Sequence, residues 1–116
     1  MKTKLAHLTL VLSSTALLAF STGATAAVDA EAAKALAKKN DCLKCHAIDK
    51  TKKGPSYQKI AAKYKGKEAE GEQKMYKNMT TGPKVKLEDG TEEDHKIIET
   101  KDQAEIKNLI YWILSL

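Results

Sequence analysis

The chain has 116 residues, a formal charge of +5 and 42% hydrophobic content, which suits one small domain rather than several. Its basic residues are all lysine, with no arginine anywhere, and aromatic residues make up only 5%. No arginine fork or aromatic platform supports nucleic acid as a partner, and side chains alone would make a thin core.

The first segment reads as an export signal. Lys2 and Lys4 form a basic start, Leu5 to Phe20 an apolar stretch, and Ala24-Thr25-Ala26 a small-x-small cleavage site. Cleavage is expected after Ala26, so residues 1–26 are a secretory signal peptide and 27–116 a single domain. The apolar stretch is short against the ~20 residues of a bilayer span; an uncleaved anchor is the alternative. No cysteine lies near the cut, which argues against a lipid anchor. Removing Lys2 and Lys4 leaves a charge of +3 on about 90 residues. The only phenylalanine, Phe20, goes with the signal, so the mature domain needs a staple of another kind.

Asp29 is placed to cap a helix running through Lys39, with Ala32, Ala33, Leu36 and Ala37 as its apolar stripe and Asn40 and Asp41 at its end. Asp41-Cys42-Leu43-Lys44-Cys45-His46 follows at once and holds the only two cysteines. Cys-x-x-Cys-His is the attachment signature of c-type haem. Each thiol adds across one porphyrin vinyl group to form a thioether, and the histidine directly after presents its imidazole to the iron. A redox dithiol would require a thioredoxin-like βαβ context, and no such strands follow. A zinc site normally spaces its histidine pair by three to five residues, and His46 and His95 are far apart. Covalent haem is also the staple that a thin core needs.

Gly54-Pro55 marks a turn. Tyr57, Ile60, Ala61 and Tyr64 recur at helical spacing, and Gly66 ends that helix. Glu70 to Met79 is a weaker helix, interrupted by Gly71, with Met75, Tyr76 and Met79 at its apolar positions. Thr80 to Thr100 reads as a long polar loop with turn signals at Gly82-Pro83 and Asp89-Gly90. Val85 and Leu87 alternate with lysines, too few to make a strand. Thr100 and Gln103 resemble a capping box. The last helix is the clearest, with Ile106, Leu109, Ile110, Ile113 and Leu114 on one face and Trp112 beside it.

These motifs together resemble the short class I bacterial c-type cytochromes. The resemblance covers nearly all of the mature chain. It rests on Cys42-x-x-Cys45-His46 after a short helix, and on Ala47-Ile48-Asp49 directly following. Gly54-Pro55-Ser56-Tyr57, Ile60-Ala61-Ala62-Lys63-Tyr64 and Tyr111-Trp112-Ile113-Leu114-Ser115 continue it. It implies an all-α fold, the class I cytochrome c fold, of about four short helices around one covalent haem c. It also implies that Pro55 offers its backbone carbonyl to the Nδ1–H of His46, which fixes the tautomer and strengthens the imidazole as a donor.

The sixth ligand departs from the family. Its members usually place a methionine in a Pro-Met-Pro stretch before the last helix, and no methionine lies between Thr80 and the C-terminus. Counted back from Trp112, His95 falls within about one residue of that position. It is the only histidine besides His46 beyond the signal. His95 is therefore the expected distal ligand, and the iron bis-histidine. Met79, Met75, an open site, or a lysine or asparagine remain as alternatives.

A six-coordinate iron that keeps both ligands in either oxidation state suits electron carriage in the periplasm, at low potential, by a protein that is not an enzyme. The alternative is a haem protein that binds a small ligand or reduces peroxide at a weak or absent sixth ligand. Lysines crowd the half of the chain around the haem motif, and Glu88, Asp89, Glu92, Glu93 and Asp94 crowd the distal loop. That segregation implies redox partners with an acidic docking surface. No membrane span is expected in the mature chain, which should be a monomer or weak dimer.

Overall fold

The computed structural model describes residues 27–116. The predicted signal peptide and its cleavage site lie outside them. Four α-helices make up most of the described chain: α1 Ala30–Lys39, α2 Tyr57–Tyr64, α3 Glu68–Thr81 and α4 Gln103–Leu114. The first three all pack on α4, whose Ile106, Leu109, Ile110, Trp112 and Ile113 are buried. That inward face is the periodicity read from the sequence.

Helix starts are set by short polar side chains. Asp29 accepts from Ala32 N at 2.9 Å and caps α1. Ser56 Oγ accepts from Lys59 N at 3.0 Å and caps α2. At α4 the cap is Asp102, which accepts from Ala104 N at 2.8 Å, and not the expected Thr100. Thr100 instead donates to Glu105 Oε2 at 2.6 Å and accepts from Asp102 N at 3.1 Å. It braces the cap from outside the helix.

Three further expectations change. Helix α3 begins two residues before Glu70 and runs two past Met79. Gly71 does not interrupt it. Gly71 is buried, and a Cβ there would lie 2.8 Å from Tyr64 Cγ and 3.2 Å from Leu114 Cδ2. A missing side chain lets α3 cross close to α2 and α4, and that gain offsets the poor helix propensity of glycine.

The supposed polar loop contains a hairpin. Strand β1, Lys84–Lys86, pairs antiparallel with β2, Glu92–Asp94, in the register Lys84↔Asp94, Val85↔Glu93, Lys86↔Glu92. Gly90 takes φ +88° in its turn, and Asp89 Oδ1 accepts from Thr91 N and Thr91 Oγ1 at 2.9 and 2.6 Å. Opposite charges face each other across the ladder, which favours such pairs. The hydrophobic alternation of Val85 and Leu87 is too short to mark a strand, because five of the six strand residues are exposed.

Candidate haem site

The segment from Asn40 to His46 is short and tightly wound. Asn40 ends α1 with its N–H on Leu36 O, and Asp41 takes a left-handed φ of 59°. A 3₁₀ turn over Cys42–Lys44 follows, closed by Cys45 N to Cys42 O at 3.3 Å and His46 N to Cys42 O at 3.0 Å. Both sulfurs therefore come from one turn of backbone. Burial pushes the Cys42 thiol up from its usual range, against a smaller opposite effect from its own backbone.

His46 is enclosed on several sides. Its Nδ1–H donates to Pro55 O at 2.6 Å, the contact that the resemblance implied. A carbonyl only accepts, so Nδ1 carries the proton and Nε2 keeps the lone pair. Tyr57 stacks on the ring at 5.4 Å and 24°, and Trp112 meets Tyr57 edge-on at 5.7 Å. Burial lowers the imidazole's pKa, the Pro55 bond partly opposes this, and His95 lowers it further. The shift favours the neutral imidazole, the form in which a histidine binds a metal.

Gly54 matters here beyond the turn. It is buried, it donates to Cys45 O at 2.8 Å, and a Cβ on it would stand 2.9 Å from His46 Cε1 and 3.2 Å from Nδ1. Any side chain would occupy the space of the imidazole. Sequence reasoning read Gly54 as half of a turn signal and as part of the family resemblance, not as a neighbour of the imidazole. Its place directly before the carbonyl that orients His46 was the available clue.

His95 follows β2 directly and is half-buried. Its N–H donates to Pro83 O at 2.9 Å, and its Nδ1–H donates to Lys96 O at 3.0 Å. Nε2 is again the free nitrogen. The rings of His46 and His95 face the same space with centroids 6.4 Å apart at 45°. Two imidazoles on one metal atom at ~2 Å from each nitrogen bring their ring centroids to about 6 Å.

Cys42, Cys45, His46, Pro55 and His95 all line one cavity of about 820 Å³. Its other walls come from α2, from Met75, Asn78 and Met79 of α3, and from the hairpin. That volume lies within the ~300–1,000 Å³ of cofactor sites. Met75 is buried in the core cluster and Met79 packs against it. Two thiols from one turn, two imidazoles with free Nε2 atoms and an apolar-lined cavity fit a haem. Among the described residues, no group of three or more histidine, cysteine, aspartate or glutamate side chains is placed to hold a metal ion by itself.

Residues 30–116 match the family model described as Cytochrome c. The chain belongs to the cytochrome c family. It is 32% identical over 99 residues to cytochrome c-551 of Allochromatium vinosum, covering 82% of this chain and 97% of that protein. The crystal structure of the class 1 cytochrome MtoD from Sideroxydans lithotrophicus ES-1 matches with a TM-score of 0.71 and 54% identity. That match covers 77% of this chain and 97% of MtoD. A deletion mutant of Nitrosomonas europaea cytochrome c552 matches with a TM-score of 0.55 and 27% identity, over 71% of this chain and 96% of that one. The fold is the class I cytochrome c fold, and the protein is a monohaem cytochrome with one covalently bound haem c. Cys42 and Cys45 fit its attachment motif.

Proposed function

We propose that this cytochrome is a periplasmic electron carrier whose iron is held by His46 and His95. The observation that carries the proposal is the facing of two imidazoles 6.4 Å apart, each with its Nδ1 committed to a backbone carbonyl and its Nε2 left for the metal. Haem would supply one-electron chemistry, and the Nε2 atoms of His46 and His95, their rings oriented by the Pro55 and Lys96 carbonyls, would hold its iron in either oxidation state. Little reorganisation then accompanies transfer. Imidazole in place of a methionine thioether favours ferric iron, so the potential sits below that of methionine-ligated relatives.

Export rests on the basic, apolar and small-x-small order of residues 1–26. No helix among the described residues is long and apolar enough to cross a membrane. Transfer to and from acidic redox proteins is favoured by Lys44, Lys50, Lys52 and Lys53, all exposed near the attachment motif.

The test is the near-infrared and visible spectrum of the oxidised protein beside its His95→Ala variant. The wild type should be low-spin without the band of a methionine–iron bond. His95→Ala should turn high-spin and bind carbon monoxide rapidly once reduced. An unchanged low-spin spectrum in the variant would move the ligand to Met79 or Met75. Rapid carbon monoxide binding by the reduced wild type would favour the small-ligand function instead.

A further inference from the structure

Asn40 closes α1 at only 1% exposure. A polar side chain buried to that degree needs its hydrogen bonds met. Its Nδ2 donates to Leu36 O at 3.0 Å, and its Oδ1 accepts from Glu99 N at 2.8 Å across 59 residues of chain. Cys42 follows Asn40 by two residues, and Glu99 follows His95 by four. One buried amide therefore joins the segment that attaches the cofactor to the segment that carries the distal imidazole.

The distal segment is fastened on its other side to the end of α3. His95 N donates to Pro83 O at 2.9 Å and Ile98 N to Met79 O at 2.8 Å. Gly82, at φ +58°, permits this approach, since a Cβ there would stand 2.8 Å from His95 O. Ile98 between these attachments is 4% exposed and belongs to the core. The segment is thus held between the end of α3 and the end of α1, and the α1 side depends on a single side chain.

We infer that Asn40 is a positioning residue for the distal ligand, setting how rarely His95 leaves the iron. The inference rests on the proposed ligation by His95. Removing the amide leaves the Glu99 N–H without its partner and frees one side of the segment, so the state with His95 off the iron becomes more populated. Asn40 also borders the haem cavity; in this role it acts through the backbone of residues 95–99.

Carbon monoxide binding to the reduced holoprotein reads that population, because the gas reaches the iron only when His95 is off. Asn40→Ala should bind it about tenfold faster than wild type. Ile110→Val, a core loss on α4 that touches none of these hydrogen bonds, should leave the rate unchanged well below its melting temperature. Equal rates for wild type and Asn40→Ala, or an equal acceleration by Ile110→Val, would overturn the inference. If Asn40→Ala does not mature, Asn40→Ser, too short to reach Glu99 N, takes its place with the same expectation. The spectrum of His95→Ala separates the two layers. If it is unchanged, the ligand assignment fails. If it changes while Asn40→Ala binds at the wild-type rate, only the role of Asn40 fails.

Discussion

The two sides of the haem cavity are built by different means. On the side of His46 the contacts are local and crowded: a carbonyl nine residues on at 2.6 Å, a stacked tyrosine, and a glycine with no room for a methyl group. On the side of His95 the ring is half-buried and follows directly from an exposed hairpin, and its segment is held by backbone hydrogen bonds to Pro83 and Met79 and by the amide of Asn40. One wall is fixed by close packing around the ring itself, the other by the buried Ile98 three residues on and a few hydrogen bonds at the ends of two helices. Packing resists displacement continuously, whereas a strap of hydrogen bonds opens when one of them is lost. The proximal side should therefore govern stability and the distal side the ligand exchange and potential.

The largest effect is expected from breaking the attachment. Cys45→Ser should leave at most one thioether and cost on the order of 2–5 kcal/mol, as when a covalent staple is removed from a small domain. Denaturing mass spectrometry of the wild type should give the chain plus one haem, and thermal melts of the variant should report the loss. A variant that melts with the wild type would mean the core stands without its second covalent link.

Next comes Gly54→Ala. The new methyl would meet His46 Cε1 at 2.9 Å, and the ring cannot yield freely because Nδ1 is held by Pro55. Overpacking of this kind costs about 1–3 kcal/mol. It should appear both as a lower melting temperature and as a shifted visible spectrum. A loss of stability with an untouched spectrum would place the strain elsewhere than on the iron ligand.

How far the sequence reached follows the same division. The proximal wall was legible because its chemistry is consecutive: two cysteines and a histidine within five residues, then a Gly-Pro turn at a set distance. Helices α1, α2 and α4 were legible because each buries one face and so repeats at helical spacing. The hairpin was not, since Val85 is the one strand residue that is half-buried, and Val85 with Leu87 makes too short an alternation to mark a strand. Its signal was electrostatic, Lys84 and Lys86 opposite Asp94 and Glu92 around Asp89-Gly90. Gly71 looked like an interruption because a helix's own propensity says nothing about the helix it crosses. Asn40 was read only as a helix end, for its second partner lies 59 residues away.

A smaller effect on stability, though a plain one on potential, is expected from His95→Met. A thioether favours ferrous iron relative to imidazole. If the segment can bring the sulfur to the iron, the ferrous form should gain about tenfold, or ~59 mV for a one-electron couple. Protein-film voltammetry measures this directly. An unmoved potential, together with an unchanged near-infrared spectrum, would mean that position 95 does not reach the iron.

The smallest effect is expected from the charges of the hairpin. Lys59–Glu88 at 3.3 Å, Lys84–Asp94 at 3.3 Å and Lys53–Glu93 at 3.9 Å look like the fastening of the distal wall, yet every partner is at least 38% exposed. Exposed pairs of this kind contribute little and are screened by salt. Glu88→Gln should therefore shift the melting temperature by no more than about 3 °C. The backbone bond from Glu88 N to Lys53 O at 3.0 Å survives that change. Gly90→Ala offers the contrast: no heavy atom lies within 4 Å of the new methyl, so its whole cost is the φ of +88°. That is worth about 1–2 kcal/mol for an L-residue. If the distal wall depends on its backbone, Gly90→Ala should destabilise more than Glu88→Gln, and at high salt the gap should remain. A reversal of that order, or its disappearance in high salt, would make surface charge the element that holds the hairpin.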